Sequence, residues 1–472
     1  MVAGSNPHYA LFKNEMVRAE LLTIKPEFAK YVDLRTVHFV EFDSVHAIYT
    51  FNPSLAEVCA VDRVNMTISV VKIFLVLALV FVSCAIEASI RRDIDVGGRR
   101  RLSGSSGLKV FDVTKYGAKA DGKSDSTMAF MKTWVDACKT NTQPGKVLVP
   151  KGTFVTSPVV FQGPCKSSVP ITVEVQGTIK ASTDLSKFSE DFWFSFEKIT
   201  GLVLTGGGTF DGQGASAWKY NNCKKGGDCN RLPTSIKFEG VTNSIISGIS
   251  SINSKFFHFH ISDCTNFTAT DLKITAPGDS PNTDGMHLSN TNGVNVSKIT
   301  VGTGDDCISI GSGVTHASFS HITCGPGHGI SVGSLGKYQH EKDVNGIVIS
   351  DCTLSKTTNG LRIKTWPGSP PSAASGITFQ NITMNSVQNP IIIDQKYGSS
   401  SSTPSRVKIS DIHFKNIKGT SASDVAVSLT CSSSFPCQGI QLANVDLTYN
   451  GGEGKASCLN AKVTSSGAPS CK

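Results

Sequence analysis

Apolar residues recur along the second half of this chain in a fixed frame, φ-x-φ-x-x-φ-x-φ, where φ is an apolar residue or a small stand-in. The frame fits FTATDLKI from Phe267, VNVSKITV from Val294, ASFSHITC from Ala317 and IVISDCTL from Ile347. It fits again as ITFQNITM from Ile377, VKISDIHF from Val407 and IQLANVDL from Ile440. Repetition at a period of roughly 20–50 residues marks stacked structural coils. Each copy is too short to bury its own apolar face, so stacking on its neighbours is what supplies a core. No helical pattern separates the copies, which argues against alternating strands and crossover helices. The pattern predicts an all-β chain wound as a parallel β-helix.

A second register runs through TDGMHLS from Thr283, DDCISIG from Asp305, GHGISVG from Gly327, TNGLRIK from Thr358 and QNPIIID from Gln388. Aligned, Met286, Ile308, Ile330, Leu361 and Ile391 form one column, and Leu288, Ile310, Val332, Ile363 and Ile393 another. Side chains alternate across a strand, so both columns face inward. His287, Ser309, Ser331, Arg362 and Ile392 then face outward. FFHFHIS, from Phe256, extends the series one coil back, with Phe257 and Phe259 inward and His258 and His260 outward. The spacing of Phe130, Trp134 and Cys138, with Met131 and Val135 beside them, predicts one short capping helix over about 126–138, with Asp125 or Ser126 as its N-cap.

The N-terminal part reads differently. From Met66 the chain runs MTISVVKIFLVLALVFVSCAIEAS, with Lys72 ahead of an unbroken apolar run from Ile73 to Val82 and small residues at Ser83, Ala85 and Ala88. That is the pattern of a secretory signal peptide, over 66–88, and its apolar run is short for a membrane span. Residues 1–65 carry no pattern and read as a leader arising from an upstream start codon or a gene-model artefact. Residues 89–107, basic and then Gly/Ser-rich, read as a linker to a folded domain over 108–472. The signal predicts a secreted, extracellular protein, free of the membrane once the signal is removed. Twelve cysteines follow the signal. The close pairs Cys223/Cys229, Cys431/Cys437 and Cys458/Cys471 suggest small disulfide loops, and no CxxC zinc pattern occurs. Asn266, Asn295 and Asn381 each begin an N-glycosylation triplet.

A net charge of +8 suits a polyanionic partner. No Lys/Arg block with interleaved aromatics is present, so nucleic acid is not expected. The spacing brings the chemistry together. Asp284, Asp306 and His328 are each 22 residues apart and so hold one position on three successive coils. With Asp305 beside them and Arg362 and Lys364 on the next coil, three carboxylates, an imidazole and two cations meet on one outer face. Clustered acids push one another's pKa apart, which lets one carboxyl act as acid and another as base. Two such carboxyls beside a cationic subsite suit hydrolysis of a glycosidic bond in an acidic sugar.

These residues also resemble a known family, the polygalacturonases, pectin-hydrolysing glycosidases on a right-handed parallel β-helix. The blocks that carry the resemblance are SPNTDG from Ser280, GDDC from Gly304, GPGHG from Gly325 and RIK from Arg362, and the likeness extends from about Leu108 to the C-terminus. Stretches such as NNCKKGGDCNRLPTSIKF and SLGKYQHEKDV look most like the plant, pollen-type, exo-acting branch. The resemblance implies that Asp305 is the general acid and that Asp284 and Asp306 activate the water, with inversion. It implies that His328 tunes the acid, that Asn282 shapes the site, and that Arg362, Lys364 and Tyr397 contact the substrate. It also implies a Cys307–Cys324 disulfide. We add His258 as a candidate substrate contact. A monomer without cofactor or metal, acting on polygalacturonate, is expected. The alternatives are an endo-acting enzyme, a calcium-dependent lyase on the same kind of scaffold, and a non-catalytic binding β-helix. The insert at 215–235 is the candidate for closing one end of the cleft.

Overall fold

The computed structural model describes residues 108–221, 223, 231–398 and 401–471. The leader, signal peptide and linker expected over 1–65, 66–88 and 89–107 lie outside the described residues, as does Cys229. The described chain is a right-handed parallel β-helix with one short α-helix. One wall is an 11-stranded sheet in which strands pair in chain order, from Val159–Gln162 through to Lys455–Leu459. Twenty further strands form the rest of the wall. Among the described strands every pairing is parallel except the turn joining Thr448–Tyr449 to Gly452–Glu453.

The two inward columns expected from the sequence are present. Met286 pairs with Ile308, Ile308 with Ile330, Ile330 with Leu361 and Leu361 with Ile391. Leu288, Ile310, Val332, Ile363 and Ile393 follow the same register, and all ten residues are fully buried. Aromatic rings stack in the same way in the early coils: Phe196 lies 5.2 Å from Phe238 at an interplanar angle of 9°. Each such side chain contributes about 1.5–3 kcal/mol on burial, so the stack of coils is held by repetition of one modest contribution.

The frame's central x-x pair turns out to be a bend. Asp271, Lys298, His321, Asp351, Asn381, Asn416 and Asn444 occupy one column, each in the left-handed region with φ between 53° and 55°. Side chains in this column hydrogen-bond up the stack, Asn444 to Asn416 at 3.1 Å, Asn416 to Asn381 at 3.0 Å and Asn381 to Asp351 at 3.0 Å. This column corrects one copy of the repeat. Ile377 pairs with Ile412, and Ile412 with Ile440, so the sixth copy is IHFKNIKG from Ile412 and does not begin at Val407.

The helix covers the first coils. It runs Thr127–Trp134 and continues as a π-helical turn, Val135–Thr140. Ser126 is the N-cap residue and makes no side-chain cap bond, while the Asp125 side chain before it accepts from the Thr127 amide at 2.8 Å. Phe130, Trp134 and Cys138 are buried, with the Trp134 ring stacked 4.5 Å from Phe161. Val135, grouped with that apolar face from the sequence, is exposed.

Disulfides join Cys138–Cys165, Cys307–Cys324, Cys431–Cys437 and Cys458–Cys471. Cys264 and Cys352 remain thiols, and burial pushes the pKa of each up to about 12. The even cysteine count therefore does not mean that every cysteine is paired.

Candidate active site

The strands Met286–Ser289, Ile308–Ile310, Ile330–Leu335 and Asn359–Thr365 lay a floor whose outward row is His287, Ser309, Ser331 and Arg362. Asp284 and Asp306 stand just before the first two of these strands. Their backbones are tied, because the Gly285 amide donates to the Asp306 carbonyl at 2.9 Å. The His328 amide donates to the Asp305 carbonyl at 2.8 Å. That approach requires Gly327: a Cβ there would stand 2.6 Å from the Asp305 carbonyl oxygen, and its φ of 142° is one that L side chains rarely adopt.

Asp306 is buried, and its carboxylate is fully engaged. Oδ1 accepts from Arg362 Nη2 at 2.6 Å and Ser331 Oγ at 2.9 Å, and Oδ2 accepts from Lys364 Nζ at 2.7 Å. Burial alone would raise its pKa, but the two cations outweigh it and hold the carboxyl at about 2. The Arg362 guanidinium also donates from Nε to Ser331 Oγ at 2.9 Å. Burial works against its charge, but Asp306 more than offsets that and raises its pKa.

Asp284 has the opposite environment. It is buried, its Oδ2 accepts from Ser309 Oγ at 2.7 Å, and Asp305 and Asp306 stand close by. Burial first, then the two like charges, drive its pKa well above the usual carboxylate range. Asp305 is the least enclosed of the three. It accepts from His328 Nδ1 at 2.9 Å, from Asn282 Nδ2 at 3.3 Å and from the Asp306 amide at 2.8 Å. Asn282 is itself held by Asn221 Nδ2 at 3.1 Å, so the insert expected to border the cleft does reach the site.

Asp305, Asp306 and His328 bring one ligand atom each within 4.8 Å of one another, close enough for a cation to bridge. The Asp306 carboxylate is already paired with Arg362 and Lys364, which offset its charge. Tyr397 borders the same pair, with its ring centroid 5.0 Å from Lys364 Nζ and 5.8 Å from the Arg362 guanidinium carbon. The Cys307–Cys324 disulfide closes the acid loop onto the end of the Thr315–Cys324 strand.

The structure thus brings together Asp284, Asp305, Asp306, His328, Asn282, Arg362, Lys364 and Tyr397. It does not bring the side chain of His258, whose amide bonds the Asp284 carbonyl at 2.8 Å. That residue is fully buried, bonded through Nδ1 to Ser251 Oγ at 2.8 Å, with Nε2 unpartnered among the described residues. The strand begins only at Phe259, so the alternation that would turn His258 outward has not yet started. Phe257, expected inward, instead stacks on His287 at 4.7 Å. Three neighbours were missed from the sequence. Ser309 and Ser331 looked like ordinary outward polar residues, yet they bond Asp284 and Asp306. Trp366, packed against Tyr397 at 5.7 Å and under Lys337 Nζ at 5.2 Å, directly follows the RIK block and Thr365.

Known proteins share the sequence and the fold of this chain. Residues 138–468 match the model of Glycosyl hydrolases family 28. The chain is 49% identical over 401 residues to an exopolygalacturonase of Arabidopsis thaliana, covering 82% of this chain and 92% of that one. It is 48% identical over 364 residues to a polygalacturonase of Gossypium hirsutum, covering 76% and 89%. Among solved structures, endo-xylogalacturonan hydrolase from Aspergillus tubingensis superposes with a TM-score of 0.67 at 26% identity, over 76% of this chain and 100% of the other. The chain is a glycoside hydrolase and belongs to glycosyl hydrolases family 28.

Proposed function

We propose that this enzyme hydrolyses the α-1,4-galacturonosyl bonds of polygalacturonate from a chain end, acting outside the cell on the wall. The observation that carries the reading is the splitting of three adjacent carboxyls. Asp306 is locked ionised by Arg362 and Lys364, while Asp284 is pressed toward its neutral form. Adjacent carboxyls held in opposite protonation states are the arrangement acid–base hydrolysis needs.

In the reaction, Asp305 donates its proton to the glycosidic oxygen as the bond to the anomeric carbon breaks. His328, 2.9 Å away, holds that carboxyl in place. Asp284, as the carboxylate, takes a proton from the attacking water, and Asp306 beside it helps to activate that water. Attack opposite the leaving group gives inversion. Arg362 and Lys364, with Tyr397 beside them, are placed to bind the carboxylate of a galacturonate unit. Several relatives are exopolygalacturonases, and the insert that grips Asn282 through Asn221 also supports attack at a chain end. Arg231 Nη2, 3.5 Å from the Tyr338 hydroxyl, links the end of that insert to the loop after Ile330–Leu335.

The full chain and its Asp305→Asn variant would be incubated with polygalacturonate while reducing ends, viscosity and ultraviolet absorbance are followed. The expected result is reducing ends rising in the wild type alone, with little fall in viscosity and no absorbing unsaturated product. A rapid viscosity drop would make the enzyme endo-acting, and unsaturated product would make it a lyase. Folded wild type that releases no reducing ends would overturn the reading.

A further inference from the structure

On the floor beside Asp284 a chain of hydrogen bonds leads away from the reacting centre. Ser309 Oγ lies 2.7 Å from Asp284 Oδ2, and His287 Nδ1 lies 2.8 Å from the same Ser309 Oγ. The imidazole is fixed in plane by the Phe257 ring, 4.7 Å away and 26° from parallel. Among the described residues no group bonds its Nε2. Gly311 leaves space there, since a Cβ at that position would stand 3.5 Å from Nε2. Serine has one proton to give, so the chain has two self-consistent states. With Asp284 ionised, Ser309 donates to it and His287 donates from Nδ1 to Ser309. With Asp284 protonated, Asp284 donates to Ser309, Ser309 donates to Nδ1, and the imidazole proton sits on Nε2.

We propose that His287, acting through Ser309, is a positioning residue that orients the Asp284 carboxyl for water activation and conducts away the proton it gains. This rests on the hydrolytic role given to Asp284 above. The step balances. The Asp284 proton moves to Ser309 Oγ, the Ser309 proton moves to His287 Nδ1, and the proton on Nε2 leaves to solvent. One proton is lost, and the imidazole is neutral before and after. That suits the surroundings. Asp305, Asp306 and Lys364 face Asp284, and His260, Arg231, Lys364 and Asp306 face His287. Burial, then His260, Arg231 and Lys364, hold the imidazole pKa well below its usual value, so a resting imidazolium is disfavoured.

The test pairs kinetics with a readout that does not depend on turnover. His287→Asn keeps an amide that can donate to Ser309 but cannot pass a proton on. It is expected to lower kcat on polygalacturonate about 100-fold, the low end for a positioned proton-transfer group, with KM nearly unchanged. His287→Ala should regain activity with added imidazole in proportion to the free base. In full-length wild type carrying ¹⁵N-histidine, the His287 signals, assigned by their loss in His287→Asn, should exchange Nδ1–H for Nε2–H as falling pH protonates Asp284, without passing through the cation. A single tautomer across that range, or a His287→Asn kcat within about twofold of wild type, would overturn the relay. Wild type that shows the tautomer exchange but does not cleave polygalacturonate would remove the proposed substrate and leave the relay standing.

Discussion

At the scale of single residues, the site is organised by what neighbours do to three chemically identical carboxyls. Asp306 and Asp284 are pushed in opposite directions, and their contributions to stability have opposite pH dependence. Asp306 lies below its unfolded value, so its contribution to stability is present above about pH 3.8 and lost as the pH falls through about 2. Lys364→Met takes away one of its two cations and should cost about 3–5 kcal/mol at pH 7, the usual penalty for uncovering a buried charge, read as a lower denaturant midpoint. Asp284 lies above its unfolded value, so its contribution is present below about pH 3.8 and lost as the pH rises through its folded pKa. Asp284→Asn should therefore stabilise the protein at pH 7, by on the order of 1 kcal/mol or more, while abolishing activity. The gain should shrink as the unfolding series is repeated toward pH 4; a gain that does not depend on pH would show that the ionised carboxyl is not its source.

At the scale of the strand and its bends, repetition decides what a sequence can show. The columns through Met286 and Leu288 were legible because alternation in a strand is strict and every copy reports the same face. The site was legible for the same reason, since Asp284, Asp306 and His328 inherit the register of those columns. The failures sit where alternation stops. His258 precedes its strand by one residue, and VKISDIHF contains two overlapping apolar frames that only pairing of Ile412 with Ile377 and Ile440 resolves. The hydrogen bonds of Ser309 and Ser331 were invisible because a serine's partner depends on rotamers, which period does not encode. The bend column carries its own prediction. Lys298, at φ 53°, holds a left-handed conformation that costs roughly 1–2 kcal/mol for an ordinary side chain and less for asparagine. Lys298→Asn should raise the thermal midpoint and leave kcat unchanged. Asn381→Val, in the same column, should lower the midpoint, because it adds a β-branched clash and breaks the hydrogen bonds to Asp351 and Asn416.

At the scale of the whole molecule, the stack's weakness lies in the histidines it encloses. Burial holds His258 at about 3 and His260 at about 4, and His287 is also pushed well down. Each is neutral in the fold and free to protonate when unfolded, near pH 6.5. Their stability is fully present above pH 6.5 and is lost as the pH falls from there toward 4 and 3. A histidine that cannot protonate costs about 1.4 kcal/mol for each pH unit below its unfolded pKa. Three together should remove about 4 kcal/mol between pH 6 and 5, less whatever Asp284 returns as it gains its proton. Asp306 opposes nothing in that window, since its own loss begins only below about pH 3.8. Acid should therefore loosen the coils around Phe259 and Met286 well before it breaks the Asp306 ion pairs. Denaturant titrations at half-unit steps from pH 7.5 to 4.5 would measure the slope. His258→Asn should reduce it by about a third and leave KM for polygalacturonate unchanged, because its side chain is buried inside the coil against Ser251. An unchanged slope would place the acid sensitivity elsewhere, and a raised KM would return His258 to the substrate.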